Sequence, residues 1–195
     1  MIEIKSKLFL LLALLMASVV ALSNYLVQFP IKYFNLENLL TYGALSYPIA
    51  FLITDLSNRK YGKNIAKKIV YFGFVFGLIL TLCFSTNYLD LISVRIAIGS
   101  GTAFLVAQLI DVHIFDRLRK KIWFIAPLAS SLVGSCVDTF LFFSISFYGT
   151  GINWVTLSFG DLLVKMFITI AMLIPFRLLL SHIKEISNIN KKISV

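Results

Sequence analysis

Six long apolar runs constrain the fold of this chain more than any other feature. A helix needs about 20 residues to cross roughly 30 Å of hydrocarbon, and runs of that length lie near residues 7–29, 40–58, 67–88, 92–115, 122–147 and 158–181. Only 14% of the residues are charged, whereas soluble domains carry about 25%. We therefore predict an all-α, polytopic membrane protein: one integral membrane domain over residues 1–195, folded as a bundle of six transmembrane helices surrounded by lipid.

The first apolar run also has features of a secretory signal peptide. Lys5 and Lys7 precede the apolar residues 8–15, and small residues follow. The apolar stretch nevertheless continues through residues 25–29, which is longer than the apolar part of a usual signal peptide. The first run is therefore predicted to be a retained helix.

The basic residues predict how the bundle is oriented. Six spans with short connections place fifteen of the 18 Lys and Arg residues on the face that carries both termini. The opposite face holds Lys32, while Arg95 and Lys165 lie at or inside helix ends. Because Lys and Arg concentrate in cytoplasmic loops, both termini are predicted to be cytoplasmic. This distribution also explains the net charge of +9 without a nucleic-acid partner.

Polar residues inside the predicted spans are the candidates for function. An ionisable group at membrane depth is costly and usually marks a functional site, although some only fix helix packing. A rotation of 100° per residue places several of them on stripes with aromatic rings. The candidates are Asp55 and Asn58 on the second helix, Phe104, Gln108 and Asp111 on the fourth, Ser135, Asp138 and Phe142 on the fifth, and Lys165 on the sixth.

Two alternatives stay open for these groups. Lys165 either pairs with Asp161, one turn earlier on its own helix, or reaches Asp138 on the neighbouring helix. The acids, amides and rings together suit a small, flat, polar solute. The same groups also suit a path for ions or protons, with Asp111 or Asp138 as the carrier.

Catalytic and metal chemistry find little support in the sequence. His113 lies about 200° around the helix from Asp111, so the two cannot hold one metal ion. His113 and Asp116 are therefore predicted to be interfacial residues at a helix end. The residues YGKN at 61–64 lack the glycine-rich approach and the following Ser or Thr of a phosphate-binding loop. No nucleophilic side chain is placed beside a general base. We predict no enzyme activity and no cofactor.

Small residues recur at a spacing of four along several helices. Gly73 and Gly77 share the third run, and the same spacing joins Ala97 to Gly101 and Ser130 to Gly134. Such pairs let two helix backbones approach closely. They are predicted to serve packing rather than a ligand.

Long motifs in the chain resemble the queuosine precursor transporter family, which is also described as vitamin-uptake-type transporters. These motifs are YPIAFLITDLSNRKYGKNIAKK (47–68), RIAIGSGTAFLVAQLIDVHIFDRLR (95–119), SSLVGSCVDTFLFFSISF (130–147) and WVTLSFGDLLVK (154–165). The resemblance implies uptake of 7-cyano-7-deazaguanine, or its aminomethyl relative, across a bacterial inner membrane for the queuosine modification of tRNA. Transport would be secondary or facilitated.

The deazaguanine substrate that the resemblance implies suggests roles for the candidate residues. One carboxylate, Asp111 or Asp138, could accept the N1–H and exocyclic amine together. Gln108 could bond the carbonyl, and Phe104 or Phe142 could stack on the ring. One departure is that residues 58–62 read NRKYG, without the acid that many relatives carry shortly before YG.

Two other functions compete with this interpretation. The first is a substrate-binding subunit of an energy-coupling vitamin importer, which would dock on its partner through small residues of the first helix. Ala13, Ala17 and Ala21 have the spacing for that docking. The second is a membrane enzyme or an assembly protein. No nucleophile–base pair supports an enzyme, and an assembly protein would not need acids aligned with aromatic rings inside a bundle.

Overall fold

The chain forms a bundle of six α-helices in the computed structural model. The structure describes residues 2–31, 33, 41–85 and 88–180, and of residues 2–8 and 85 it describes the backbone alone. The helices are α1 (Ile2–Leu26), α2 (Gly43–Tyr61), α3 (Lys63–Leu80), α4 (Leu91–Leu118), α5 (Ile125–Phe147) and α6 (Trp154–Leu180). One π-helical turn, Thr81–Ser85, extends α3. The described residues form no named strand, so the predicted all-helical class is confirmed.

Five of the six helices are long and apolar enough to cross a membrane, and α2 is not among them. α2 is more polar because it carries a row of buried polar side chains: Ser46, Thr54, Asp55, Ser57, Asn58 and Arg59. All five other helices pack against α2. Its neighbours therefore shield these polar groups from lipid, and α2 carries them at the centre of the bundle.

Several predicted boundaries were displaced. The second run was expected at 40–58, but α2 ends at Tyr61 and α3 begins at Lys63, so Gly62 alone connects the two helices. Gly62 has φ = 85°, a left-handed conformation that favours glycine. The shift arises because charged residues end the apolar run, while the helix itself continues into them.

Some predictions fall outside the described residues. These are the predictions for Lys32, for parts of three runs (residues 40, 86–87 and 181) and for the basic C-terminal segment after residue 180.

The predicted close packing of small residues is confirmed where α3 crosses α1. A Cβ atom on Gly77 would lie 2.8 Å from Cβ of Val20, and one on Gly73 would overlap the Met16 side chain. Gly134 on α5 serves α2 in the same way, since a Cβ there would lie 2.5 Å from the Phe51 ring. Glycine at these positions lets the helices approach to a separation that a side chain would prevent.

Candidate functional site

A buried lysine on α6 is the centre of the first polar cluster. The Lys165 ammonium donates to Oδ2 of Asp138 on α5 at 2.9 Å and to Thr139 Oγ1 at 3.2 Å. It also lies 2.7 Å from Oδ2 of Asp161, one turn earlier on α6. The Tyr47 ring of α2 covers it, with Nζ 5.0 Å from the ring centroid. We call these five residues the lysine centre.

Both alternatives predicted for Lys165 are therefore realised together. Lys165 and Asp138 are only 4% and 2% exposed, and Asp161 is 4% exposed. Two carboxylates and one ammonium group leave a formal net charge of −1 at a buried site. The Thr139 hydroxyl donates to Asp161 Oδ2 at 2.9 Å, which distributes part of that charge.

A small cavity of about 10 Å³ adjoins the lysine centre. It lies near the C-terminal end of α1 and the N-terminal end of α2, and four helices besides α6 contribute to its wall. The lining residues are Asn24, Val27, Gly43, Tyr47, Ser100, Asp138, Phe142, Asp161 and Lys165. Small-molecule pockets usually measure about 300–1,000 Å³, whereas a cavity of about 10 Å³ has room for roughly one water molecule. The cavity would therefore have to widen before it could admit a purine-sized ligand.

Two residues that line this cavity have buried acceptor oxygens without donors. Asp138 Oδ1 and Asn24 Oδ1 are buried and have no hydrogen-bond partner among the described residues. The amide nitrogen of Asn24 is already used, because it donates to Thr81 Oγ1 at 2.8 Å. A buried polar atom without a partner is costly. The cavity therefore offers carboxylate and amide oxygens to a ligand that carries N–H donors.

A second polar cluster lies between α2, α4 and α5. Asp55 and Asp111 lie at one level of the α2–α4 contact, because Thr54 bonds Gln108 and Asn58 bonds the Val112 carbonyl on either side of them. Both side chains are buried, at 2% and 0% exposure. Ser130 and Ser131 of α5 donate to the two oxygens of Asp55, each at 3.2 Å. We call Asp55 and Asp111 the carboxyl pair.

Gln108 and Phe104 lie one and two turns before Asp111 on α4. The Thr54 hydroxyl donates to Gln108 Oε1 at 2.5 Å, while the amide nitrogen of Gln108 is buried without an acceptor among the described residues. The Phe104 ring packs edge-on against Tyr47, with centroids 6.4 Å apart. Phe104 thus lies between the two polar clusters rather than on the cavity wall.

Asn58 belongs to a third group, at the opposite end of α2 from the cavity. Its amide donates to the Val112 carbonyl at 2.9 Å, and the Arg119 guanidinium donates to its Oδ1 at 2.7 Å and to its backbone carbonyl. Arg59 donates in turn to the Arg119 carbonyl at 3.1 Å. We call Asn58, Arg59 and Arg119 the clasp, because they tie the end of α2 to the end of α4.

His113 and Asp116 lie near this end, as residues of the last turns of α4. His113 Nδ1 is 2.8 Å from the Lys63 ammonium, and Asp116 lies 3.8 Å from the Arg119 side chain. Both side chains are partly exposed. This placement agrees with the predicted helix-end role.

The nine predicted site residues are therefore divided between levels of the bundle. Asp138, Phe142 and Lys165 share the cavity; Asp55, Gln108 and Asp111 lie in or beside the carboxyl pair; Asn58 belongs to the clasp. Ser135, on α5 between the two clusters, is fully buried and its hydroxyl has no partner among the described residues. At 1.5 Å per residue, the seven residues from Ser131 to Asp138 separate the clusters by about 11 Å.

The sequence did not single out Tyr47 or Asn24 as site residues. An aromatic ring on an apolar helix and an amide near a helix end both have ordinary packing explanations. Tyr47 precedes Phe51 and Asp55 on the stripe of α2, and that spacing was a signal that could have identified it. Asn24 offered no comparable signal.

Comparisons with known proteins place these features in a family. A family described as "Putative vitamin uptake transporter" matches residues 41–180. A Haemophilus influenzae protein named probable queuosine precursor transporter is 36% identical over 188 residues, covering 80% of this chain and 79% of that protein. The queuosine precursor transporter of Escherichia coli K12 is 32% identical over 196 residues, covering 88% of each. No solved structure matches the chain.

Proposed function

The chain belongs to the family of vitamin uptake transporters that includes these queuosine precursor transporters, and from that premise we propose that it imports 7-cyano-7-deazaguanine or its aminomethyl relative. The substrate would cross the inner membrane of a bacterium and supply the queuosine modification of tRNA. We propose a transporter without enzyme activity, folded as a single membrane domain. No phosphate-binding loop occurs in the sequence, so the proposed mode is secondary or facilitated transport.

The observation that carries this proposal is the unpartnered carboxylate oxygen of Asp138 in the wall of a buried cavity. The guanine edge of a deazaguanine presents an N1–H and an exocyclic amine, which are donors for a carboxylate. The Lys165 ammonium directs its three N–H donors at Asp138, Thr139 and Asp161, so it holds the Asp138 carboxylate in place and leaves the other oxygen of that carboxylate for the substrate. The rings of Tyr47 and Phe142 line the same cavity and supply apolar faces for a flat heterocycle.

Access to the cavity is proposed from the end where α1 stops and α2 begins. Fifteen of the 18 Lys and Arg residues favour cytoplasmic termini, which would make this end periplasmic. The clasp joins α2 to α4 at the other end and would then close the cytoplasmic side. Import would require the cavity to widen for the substrate and the clasp to open.

The substitution Asp138→Asn tests the assignment of the cavity. A hydrogen bond to a charged group contributes about 1.5–3 kcal/mol, so its loss should reduce uptake roughly 10- to 150-fold. Uptake of labelled 7-cyano-7-deazaguanine is measured in cells with equal amounts of each protein in the membrane. Asp116→Asn, a partly exposed acid at the end of α4, is the matched control and should transport normally. Normal uptake by Asp138→Asn would remove the lysine centre from the binding site.

The structure offers no support for the energy-coupling subunit as an alternative. Ala13 and Ala17, two of the three alanines suited to docking a partner, are buried at 0% and 3% exposure. Ala17 lies against Gly73 and Gly77 of α3, so this face of α1 is already covered within the chain. Uptake by the single polypeptide, without ATPase subunits, would exclude the subunit role.

A further inference from the structure

We propose that Asp55 and Asp111 share one proton and form a proton-binding site that is separate from the lysine centre. The site lies at the α2–α4–α5 contact, about 11 Å along α5 from Asp138, as judged by a rise of 1.5 Å per residue.

The hydrogen-bond pattern favours a proton between these two groups. Both carboxyl groups are buried, and the contacts of Thr54 and Asn58 with α4 on either side place them at one level of the bundle. Asp55 accepts from two serine hydroxyls, but neither oxygen of Asp111 receives a hydrogen bond from the described residues. Ser130 lies beside Asp111 and is directed at Asp55 and at the Pro127 carbonyl instead. A proton on one carboxyl group supplies the missing O–H donor, and the other carboxylate accepts it.

No cation of the described helices neutralises the pair. On α2 the next charge is Arg59, which donates to the Arg119 carbonyl and lies 5.5 Å from the centroid of the Phe115 ring. From α5 only the hydroxyls of Ser130 and Ser131 face Asp55.

Charged side chains on the other helices contact groups outside the carboxyl pair. On α6, Lys165 and Asp161 belong to the lysine centre. On α3, Lys63 contacts His113, and farther along α4 Asp116 lies near Arg119. Two like charges at contact in a buried site cannot both persist without a counter-ion. One shared proton reduces the formal charge of the pair from −2 to −1.

An independent observation also indicates that this level of the bundle binds a small polar species. The amide nitrogen of Gln108 is buried, and it has no acceptor in the part of the chain that is described. Residues three apart on a helix are neighbours, so Gln108 lies beside Asp111. Thr54 donates to the amide oxygen of Gln108, which fixes the orientation of the amide. The amide nitrogen can then donate to the carboxylate of Asp111 when the pair releases its proton.

Infrared difference spectroscopy of the purified protein tests the proton directly, without relying on transport. A protonated carboxylic acid has a C=O stretching band that a carboxylate lacks, and this band shifts in D₂O. We expect the wild-type chain to show the band at pH 7, the double variant Asp55→Asn/Asp111→Asn to lose it, and Asp138→Asn to keep it.

Each contrary result would overturn the proposal. A wild-type spectrum without the band would show that both groups are ionised, and this measurement needs no variant to fold. Loss of the band in Asp138→Asn would place the proton at the lysine centre. Removal of the band by added Na⁺ at constant pH would show that the pair holds a metal cation instead.

A second experiment asks whether the proton travels with the substrate, and this step rests on the proposed function. In vesicles containing the purified chain, a pH difference of one unit, acidic outside, should drive accumulation up to about tenfold if one proton accompanies each substrate. Asp111→Asn should lose accumulation. Wild-type uptake without accumulation would refute the coupling alone, whereas absence of any uptake would refute the proposed function and leave the spectroscopic result unaffected.

Discussion

Replacing Lys165 by Met removes the only cation of the lysine centre while keeping a side chain of similar length. The Lys165 ammonium lies 2.9 Å from Asp138 and 2.7 Å from Asp161, and all three side chains are at most 4% exposed. The substitution therefore leaves two buried carboxylates at one site with a single neutral donor, Thr139, which already bonds Asp161.

The size of the effect follows from this geometry. Removing one partner of a buried ion pair costs about 3–5 kcal/mol, because the remaining charge is left uncompensated. For a chain of 150–250 residues, each kcal/mol lowers the midpoint of thermal unfolding by about 2–4 °C. The variant Lys165→Met should therefore unfold about 6–20 °C below the wild type.

Thermal unfolding in one detergent, followed by intrinsic fluorescence, measures this shift. Lys120→Met is the matched control, because Lys120 is exposed in the connection between α4 and α5, and its midpoint should change little. Adding Asp138→Asn to Lys165→Met removes one of the stranded charges and should recover part of the lost stability. Uptake should be abolished in both variants that lack Lys165.

Two results would refute this reasoning. Equal midpoints for Lys165→Met and Lys120→Met would show that the ion pairs contribute no net stability. A large loss of stability with normal uptake in the surviving protein would show that the lysine centre holds the bundle together without binding the substrate.

Two further predictions concern packing and orientation. Gly77→Ala should destabilise the bundle by about 1–3 kcal/mol in thermal unfolding, because the added Cβ would lie 2.8 Å from Val20 Cβ. Gly101→Ala is the control and should not destabilise it, because its Cβ would meet its neighbours at 3.5 Å. Equal unfolding midpoints for the two variants would contradict the close α1–α3 contact. In a chain whose two cysteines are replaced by serine, Lys120→Cys should react with an impermeant thiol reagent only from the cytoplasmic side and Tyr148→Cys only from the periplasmic side. The reverse labelling would invert the proposed orientation.

The fold was largely predictable because bilayer thickness imposes a length on each apolar run. Helix boundaries were not, since a helix continues past the last apolar residue when its polar and charged side chains find partners on neighbouring elements. The end of α2 is the clearest case, where Asn58 donates to the Val112 carbonyl and Arg59 to the Arg119 carbonyl. There the structure has Gly62 alone between α2 and α3.

The sequence predicted which residue types form the candidate site and which helix faces carry them. It did not predict which of these residues contact one another. The 100° repeat selected Asp55, Asp111 and Asp138 as acids facing the interior. It could not show that Asp55 meets Asp111 while Asp138 meets Lys165, because the depth and rotation of one helix against another depend on side-chain packing. For the same reason the sequence grouped residues that the structure places in separate clusters.

The proposal of precursor import is tested most directly by measuring queuosine in tRNA. The host is a bacterium that lacks both its own precursor synthesis and its own transporter, and it expresses this chain alone with nanomolar 7-cyano-7-deazaguanine in the medium. Restored queuosine is the predicted result and would establish uptake by a single polypeptide. Absence of queuosine, with the protein shown to be in the membrane, would contradict the proposed function.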